Sequence, residues 1–283
     1  MPTSSPRSWA SCASTIARDA MLALDEPAPR PPLGLLHGTP VAALGVLAAS
    51  AAAAVVVLTE PAARVVGLAT AHGALLGTAV AWTSPGAPNG RWAPIEAALV
   101  LAGAAGCASL HPWGALAYVA MPAWLAWRRA AGLRPPTRRS VVAVAAGGVF
   151  GLLLGAHLLV NAALTFDYRL RTGPWSELTG WWAYDLGANV LAAEVFFRGA
   201  LFERAYRRWP FSVAAALATG AALVRYLVDP LLPHSLGVAT GAIFYIALLG
   251  AGNCWMVART GRLGPSLAAA AVFFGVYRLL ESR

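Results

Sequence analysis

The side chains able to do chemistry in this 283-residue chain are few, and four fall in one apolar stretch near 179–201: Asp185, Asn189, Glu194 and Arg198. An ionisable group in a membrane-spanning helix costs roughly 2.5 to 3.5 kcal/mol on insertion scales, so each needs a reason to be there. At about 100° of rotation per residue, Glu194 and Arg198 share a helix face as an i,i+4 pair, whereas Asp185 projects about 180° away from Glu194. Two readings of the pair stand side by side. One is a carboxylate poised for proton transfer. The other is an internal ion pair near the cytoplasmic interface, with Arg198 reaching toward the water. Polar groups on opposite faces predict that this helix lies inside a bundle.

A second i,i+4 couple, His157 and Asn161, can hydrogen-bond each other or a neighbouring helix, which is the usual use of such groups in membranes. Arg225 stands four residues before Asp229, a spacing that allows a local pair. His157, Asn161 and Arg225 are candidates for the lining of a polar cavity. The other histidines fall near predicted span ends (His37, His72, His111) or in the loop Pro233-His234-Ser235. No HExxH and no His/Asp/Glu cluster is present, so neither a metal nor a cofactor is expected. Ser235 and Ser266 have no triad partners nearby in sequence. Cys12, Cys107 and Cys254 show no CxxC spacing, and their odd number argues against a disulfide framework.

The elements that must position these residues follow from composition. Hydrophobic residues make up 58% of the chain, charged residues only 12%, and the mean hydropathy is +0.62, more apolar surface than one water-soluble core would hide. The predicted fold class is all-α, a polytopic transmembrane helix bundle of about nine spans (eight to nine). They are placed near 40–59, 62–82, 93–110, 112–127, 140–165, 179–201, 211–229, 236–258 and 263–280. Three regions are expected: an arm over 1–32, a four-helix membrane region over 33–130, and a membrane domain over 140–283 that holds nearly all the intramembrane polar groups. Gly147, Gly151 and Gly155 put bare backbone on one face of the fifth span, a packing device, and Gly237 and Gly241 repeat it in the eighth.

All 21 basic residues are arginine, against 12 acids. They lie between hydrophobic runs, where they report orientation, and a nucleic-acid partner is not expected. Fourteen of them (Arg7, Arg18 and Arg30 through Arg259 and Arg262) fall on the side holding the N-terminus, five (Arg64, Arg169, Arg171, Arg278, Arg283) on the other. The positive-inside rule then predicts a protein of the plasma (inner) membrane, its N-terminus cytoplasmic and its C-terminus external.

The stretch Ala193-Glu194-Val195-Phe196-Phe197-Arg198-Gly199 resembles the first motif, Glu-Glu-x-x-x-Arg, of the CPBP family, the CAAX protease and bacteriocin-processing proteins. Thr260-Gly261-Arg262-Leu263-Gly264-Pro265-Ser266-Leu267 is similar to the family's closing Thr-Gly-Ser-Leu turn, and the resemblance covers roughly 180–280. It implies intramembrane endoproteolysis, in which a glutamate activates water while histidines and an asparagine stabilise the oxyanion. Carried over, the motif's first glutamate falls on Ala193, and the histidine of Phe-x-x-x-His on Arg225, with Ala221 at the Phe position. His-x-x-x-Asn falls on Ala270 and Phe274; only Glu194 and Arg198 persist.

Two functional expectations result. One is a catalytically silent relative that binds a membrane partner or a lipidated or transmembrane peptide. The other is a divergent endopeptidase working through Glu194, with His157 and Asn161 as displaced helpers. A small permease is disfavoured, because no matched pair of broken helices repeats along the chain. Convergence of Glu194, His157 and Asn161 on one cavity would favour the enzyme.

Overall fold

The computed structural model describes residues 41–58, 61–83, 90–129, 138–166, 168–170, 173–227 and 236–281. The arm over 1–32, Arg134, Asp229, His234 and Ser235 lie outside the described residues.

Helices stand at all nine predicted positions: α1 (Val41–Val57), α2 (Pro61–Thr83), α3 (Ala93–Leu110), α4 (Ala120–Arg129), α5 (Arg138–Phe166), α6 (175–206), α7 (Phe211–Leu227), α8 (Leu236–Thr260) and α9 (Gly264–Tyr277). Four stretches are long and apolar enough to cross a membrane on their own, Ala62–Thr83, Ala93–Leu110, Val141–Thr165 and Thr240–Thr260. The predicted fourth span is partly a tight 3₁₀ helix, Pro112–Val119, which passes into α4. Two short strands, β1 (Arg169–Leu170) and β2 (Leu280–Glu281), pair antiparallel and tie the end of α5 to the end of α9.

Local chemistry sets the boundaries next to the polar groups. Gly261 takes φ +63° and its N–H bonds to Val257 O at 2.8 Å, the left-handed glycine stop that ends α8. The Thr260 hydroxyl donates back to Met256 O and receives Arg262 N–H, and Pro265 opens α9, where a missing N–H is harmless. This is how the Thr-Gly turn seen in the sequence reverses the chain.

Helix α6 is not a uniform α-helix. Turns of α-helix alternate with wide π turns at Asp185–Val190 and Glu194–Phe202. A π turn rotates less per residue than an α turn, so the projection that set Asp185 opposite Glu194 does not hold. Both acids face α9: Asp185 meets Arg278, and Glu194 lies beside Ser266. The expectation that α6 is interior stands on burial instead, since Asp185, Asn189, Glu194 and Arg198 are all buried.

A single cluster of buried side chains runs from α2 and α3 through α6, including Leu76, Leu101, Tyr118 and Phe197, with Trp82 stacked on Phe196. A second joins α5, α6, α8 and α9 around Leu154, Tyr245, Phe273 and Phe274. Backbone contact closes both. A Cβ on Gly147 would strike Pro265 O and one on Gly151 would strike Ala269 O, so the glycine face of α5 lies directly on α9. Gly73 and Gly77 do the same for α2 against Ala97 and Ala93. Gly151→Leu should therefore lower the melting temperature in detergent by an amount matching about 1 to 3 kcal/mol or more of overpacking. Gly103→Ala, at a position with open space around it, should leave the melting temperature unchanged.

Candidate functional site

The first polar cluster is built where α6, α7, α8 and the start of α9 meet. Glu194 and Arg198 are each 3% exposed, and Arg198 Nη1 lies 3.7 Å from Glu194 Oε1. The guanidinium fits because Gly250 has no side chain: a Cβ there would stand 2.6 Å from Arg198 Nη2 and 3.0 Å from Thr219 Oγ1. Asn253 and Ser266 flank the Glu194 carboxylate, and Cys254 lies against Thr219 and Arg198. The Ser266 hydroxyl donates to Leu263 O at 3.0 Å. Five buried atoms of this cluster make no hydrogen bond among the described residues, namely Glu194 Oε2, Arg198 Nε, Thr219 Oγ1 and both ends of the Asn253 amide. Such groups are rare in proteins and mark either strain or a place where small polar molecules sit.

The second network lies earlier in α6, around Asp185, nine residues before Glu194. Arg278 clasps Asp185 with two bonds, Nε to Oδ2 at 2.6 Å and Nη2 to Oδ1 at 2.9 Å. Asn189 donates to Asp185 Oδ1 at 3.2 Å and accepts from Arg225 Nη1 at 2.8 Å. Arg225 Nη2 also donates to His72 Nε2, so His72 carries its proton on Nδ1, which faces Tyr184 Oη at 3.4 Å. His72 is thus a buried mid-helix residue, against the expectation that it sits near a span end. Its helix, α2, runs on to Thr83. Among the described residues Arg225 donates to Asn189 and His72, two neutral acceptors.

The third group is on the outside of the bundle. His157 and Asn161 are exposed on α5, and both reach Tyr245 of α8: Asn161 Nδ2 donates to Tyr245 Oη at 2.8 Å, and that oxygen lies 2.9 Å from His157 Nδ1.

The structure therefore brings Glu194 and Arg198 together, and His157 and Asn161 together, but it does not bring these pairs to one another or to Arg225. Among the described residues no hydrogen bond joins Glu194 to His157 or Asn161; Glu194 is buried, whereas the other two are exposed. The residue of α7 that faces the Glu194–Arg198 level is Thr219, while Arg225 sits at the level of Asp185. The remaining carried-over positions are apolar: Ala270 and Phe274 are buried, and Phe274 packs on Tyr226 with ring centroids 5.7 Å apart. Asn253, Tyr245, His72 and Arg278 were missed as site residues. Asn253 and Tyr245 carried a readable signal, polar atoms within a long apolar span; Arg278 read as an ordinary flanking arginine. Among the described residues no three His, Cys, Asp or Glu side chains gather as a metal site would require.

The described residues form an apolar helical bundle with ion pairs buried in its interior, the make-up of an integral membrane protein. Residues 174–276 match the family model described as type II CAAX prenyl endopeptidase Rce1-like, which supports the resemblance to the CPBP family over that segment. The match begins just before α6 and ends in α9, in agreement with the resemblance read from the motifs. No curated protein and no solved structure matches the chain.

Glu194 and Arg198 should behave as a structural pair. Removing one partner leaves a buried charge alone, typically a loss of about 3 to 5 kcal/mol, whereas replacing both with apolar groups can be nearly neutral. Glu194→Gln and Arg198→Met should each lower the melting temperature, and the double variant should recover part of the loss. A double-mutant cycle with no coupling would show that the two groups act independently.

Proposed function

We propose that this protein is a catalytically silent member of the Rce1-like group, acting as a membrane scaffold that binds a transmembrane or lipidated peptide. The observation that carries the reading is the state of the one retained carboxylate. Glu194 is buried beside Arg198, while Ala193, Ala270 and Phe274 stand at the positions of the family's base and oxyanion groups. Oxyanion donors are usually the largest single term in such catalysis, one donor alone contributing about 10² to 10³ in rate. Tyr226, Phe273, Phe274 and Tyr277 pack as an aromatic group around the Phe274 position. Arg198 lies close enough to hold Glu194 as a counter-ion in place of a proton acceptor for water.

One observation favours a second reading, a divergent endopeptidase. Glu194 Oε2 and the Asn253 amide are neighbouring, buried and unpartnered. A carboxylate can serve as a base and an amide N–H as an oxyanion donor. Purified protein in lipid, offered membrane peptides with and without a prenylated C-terminal CAAX-like segment, separates the two. We expect binding without cleavage, and no cleavage from Ala193→Glu alone. Cleavage by the unaltered protein that disappears in Glu194→Gln or Asn253→Leu would establish the enzyme and overturn the scaffold.

The distribution of arginine supports an inner-membrane protein with its N-terminus in the cytoplasm. Arg128 ends α4, Arg138 and Arg139 open α5, and Arg204 to Arg208, Arg259 and Arg262 mark the ends of α6 and α8. Reporter fusions within 130–137 and after Arg262 should read as cytoplasmic, and a fusion at the C-terminus as external. A cytoplasmic C-terminus would contradict this orientation.

A further inference from the structure

The α6–α7 turn and the α8–α9 turn leave the apolar body at one end of the bundle. Phe202 and Ala205 of α6, Ala214 of α7 and Cys254 of α8 share one buried cluster, with Trp209 and Ala258 packed against it. A Cβ on Gly199 would lie 2.8 Å from Leu263, so the α8–α9 turn rests on α6 as well. Across these turns, residues 203–211 and 258–264 carry five arginines, Arg204, Arg207, Arg208, Arg259 and Arg262, and one acid, Glu203. Glu203 is paired with Arg207, while Arg208 and Arg262 are exposed. This end of the protein therefore presents a rim of excess positive charge.

Aromatic neighbours set the depth of that rim. The Arg208 guanidinium carbon stands 5.3 Å from the centre of the Trp209 ring, and that of Arg204 stands 5.3 Å from the centre of the Trp82 ring. Tryptophan beside arginine is the make-up of the boundary between hydrocarbon and headgroups, where an amphipathic ring is best solvated. Beyond Trp209, α7 turns Val213, Leu217 and Val224 outward, 49%, 37% and 62% exposed. Gly220 falls in the same helical stripe, with nothing within 4 Å of a Cβ built on it. Charge at the headgroup level thus continues into a bare apolar strip at hydrocarbon depth.

A ligand complementary to both parts carries a negative charge at one end and hydrocarbon at the other. A soluble anion would meet only the arginines, and a zwitterionic lipid would bring a cation of its own against them. We infer that the rim of Arg208 and Arg262 is a binding site for an anionic phospholipid, with the phosphate at the rim and an acyl chain along Val213 and Leu217. Arginine suits this task because its planar fork of N–H donors matches the oxygens of a phosphate. Basic clusters placed directly at the ends of spanning helices are the usual recognition element for acidic headgroups. The inference rests neither on the peptide-binding proposal nor on which leaflet this end of the bundle occupies.

The test is native mass spectrometry of the purified protein titrated with dioleoyl phosphatidylglycerol or dioleoyl phosphatidylcholine. The phosphatidylglycerol should bind at least about tenfold more tightly, since each arginine near an acidic headgroup contributes roughly fivefold. Arg208→Gln with Arg262→Gln should remove most of that preference and leave the melting temperature unchanged, because both side chains are exposed. Arg208→Lys with Arg262→Lys should keep the preference, and so should Arg169→Gln, a control at an exposed arginine next to β2. Ammonium phosphate added at constant ionic strength should not displace the bound lipid. Equal affinity for the two lipids, a glutamine variant that binds phosphatidylglycerol as the parent does, or an equal loss in Arg169→Gln would each overturn the inference. Displacement by phosphate alone would overturn it too, by making the rim a site for soluble anions.

Discussion

A charge inside a lipid-embedded bundle must meet its counter-charge there, and in this protein that constraint converges on α6. Its two membrane-buried acids, Asp185 and Glu194, both face α9, but they are balanced differently. Asp185 receives two short bonds from Arg278 at the far end of α9, and Glu194 is paired within its own helix with Arg198. Removing either counter-ion would leave an ionised group in a low-dielectric interior, which is more destabilising than never having placed it there. The wide π turns of α6 bring both acids to one side, the glycine face of α5 lets α9 lie close, and the β1–β2 pair holds the two helix ends together.

The same constraint orders the remaining polar groups. Arg225 is received by neutral acceptors, Asn189 and His72, so its charge reaches Asp185 through the Asn189 amide. That chain links α2 to α6, α7 and α9, and with the core around Leu76, Leu101 and Phe197 it makes the first four helices part of one packed body with the Rce1-like segment. Aromatic rings then fill the space between α7 and α9. The residues that hold these helices together are thus a different set from any that would polarise a peptide bond.

The helices were legible because lipid favours long apolar runs: four of them are long and apolar enough to span, and the Ala-, Leu- and Val-rich stretches of α1, α7 and α9 are apolar but shorter. Glycine spacing in α5 correctly indicated close packing, and the Thr260-Gly261 turn announced the reversal before α9. The angular reading of Asp185 against Glu194 failed because an α-helical projection cannot anticipate a π turn, whose cause lies in tertiary contacts. His72 was misplaced near a span end although the predicted span 62–82 centres on it, and its burial in the middle of α2 agrees with that span. Arg278 and Asn253 act across helices from sites 93 and 59 residues away from their partners, Asp185 and Glu194, and no local pattern encodes such pairings.

Cys254 offers a native reporter for the claim that this interior is closed and structural. It is buried, against Arg198 and Thr219 and next to Asn253, beside the Glu194–Arg198 pair. The direct measurement is the rate at which a charged methanethiosulfonate reagent modifies Cys254 in the lipid-embedded protein, followed by peptide mass spectrometry, with the detergent-unfolded chain as reference. The account expects Cys254 to stay unmodified while the protein is folded and to react once it is unfolded. Modification of the folded protein at a rate near that of the unfolded chain would reveal a water path to Glu194 and contradict it.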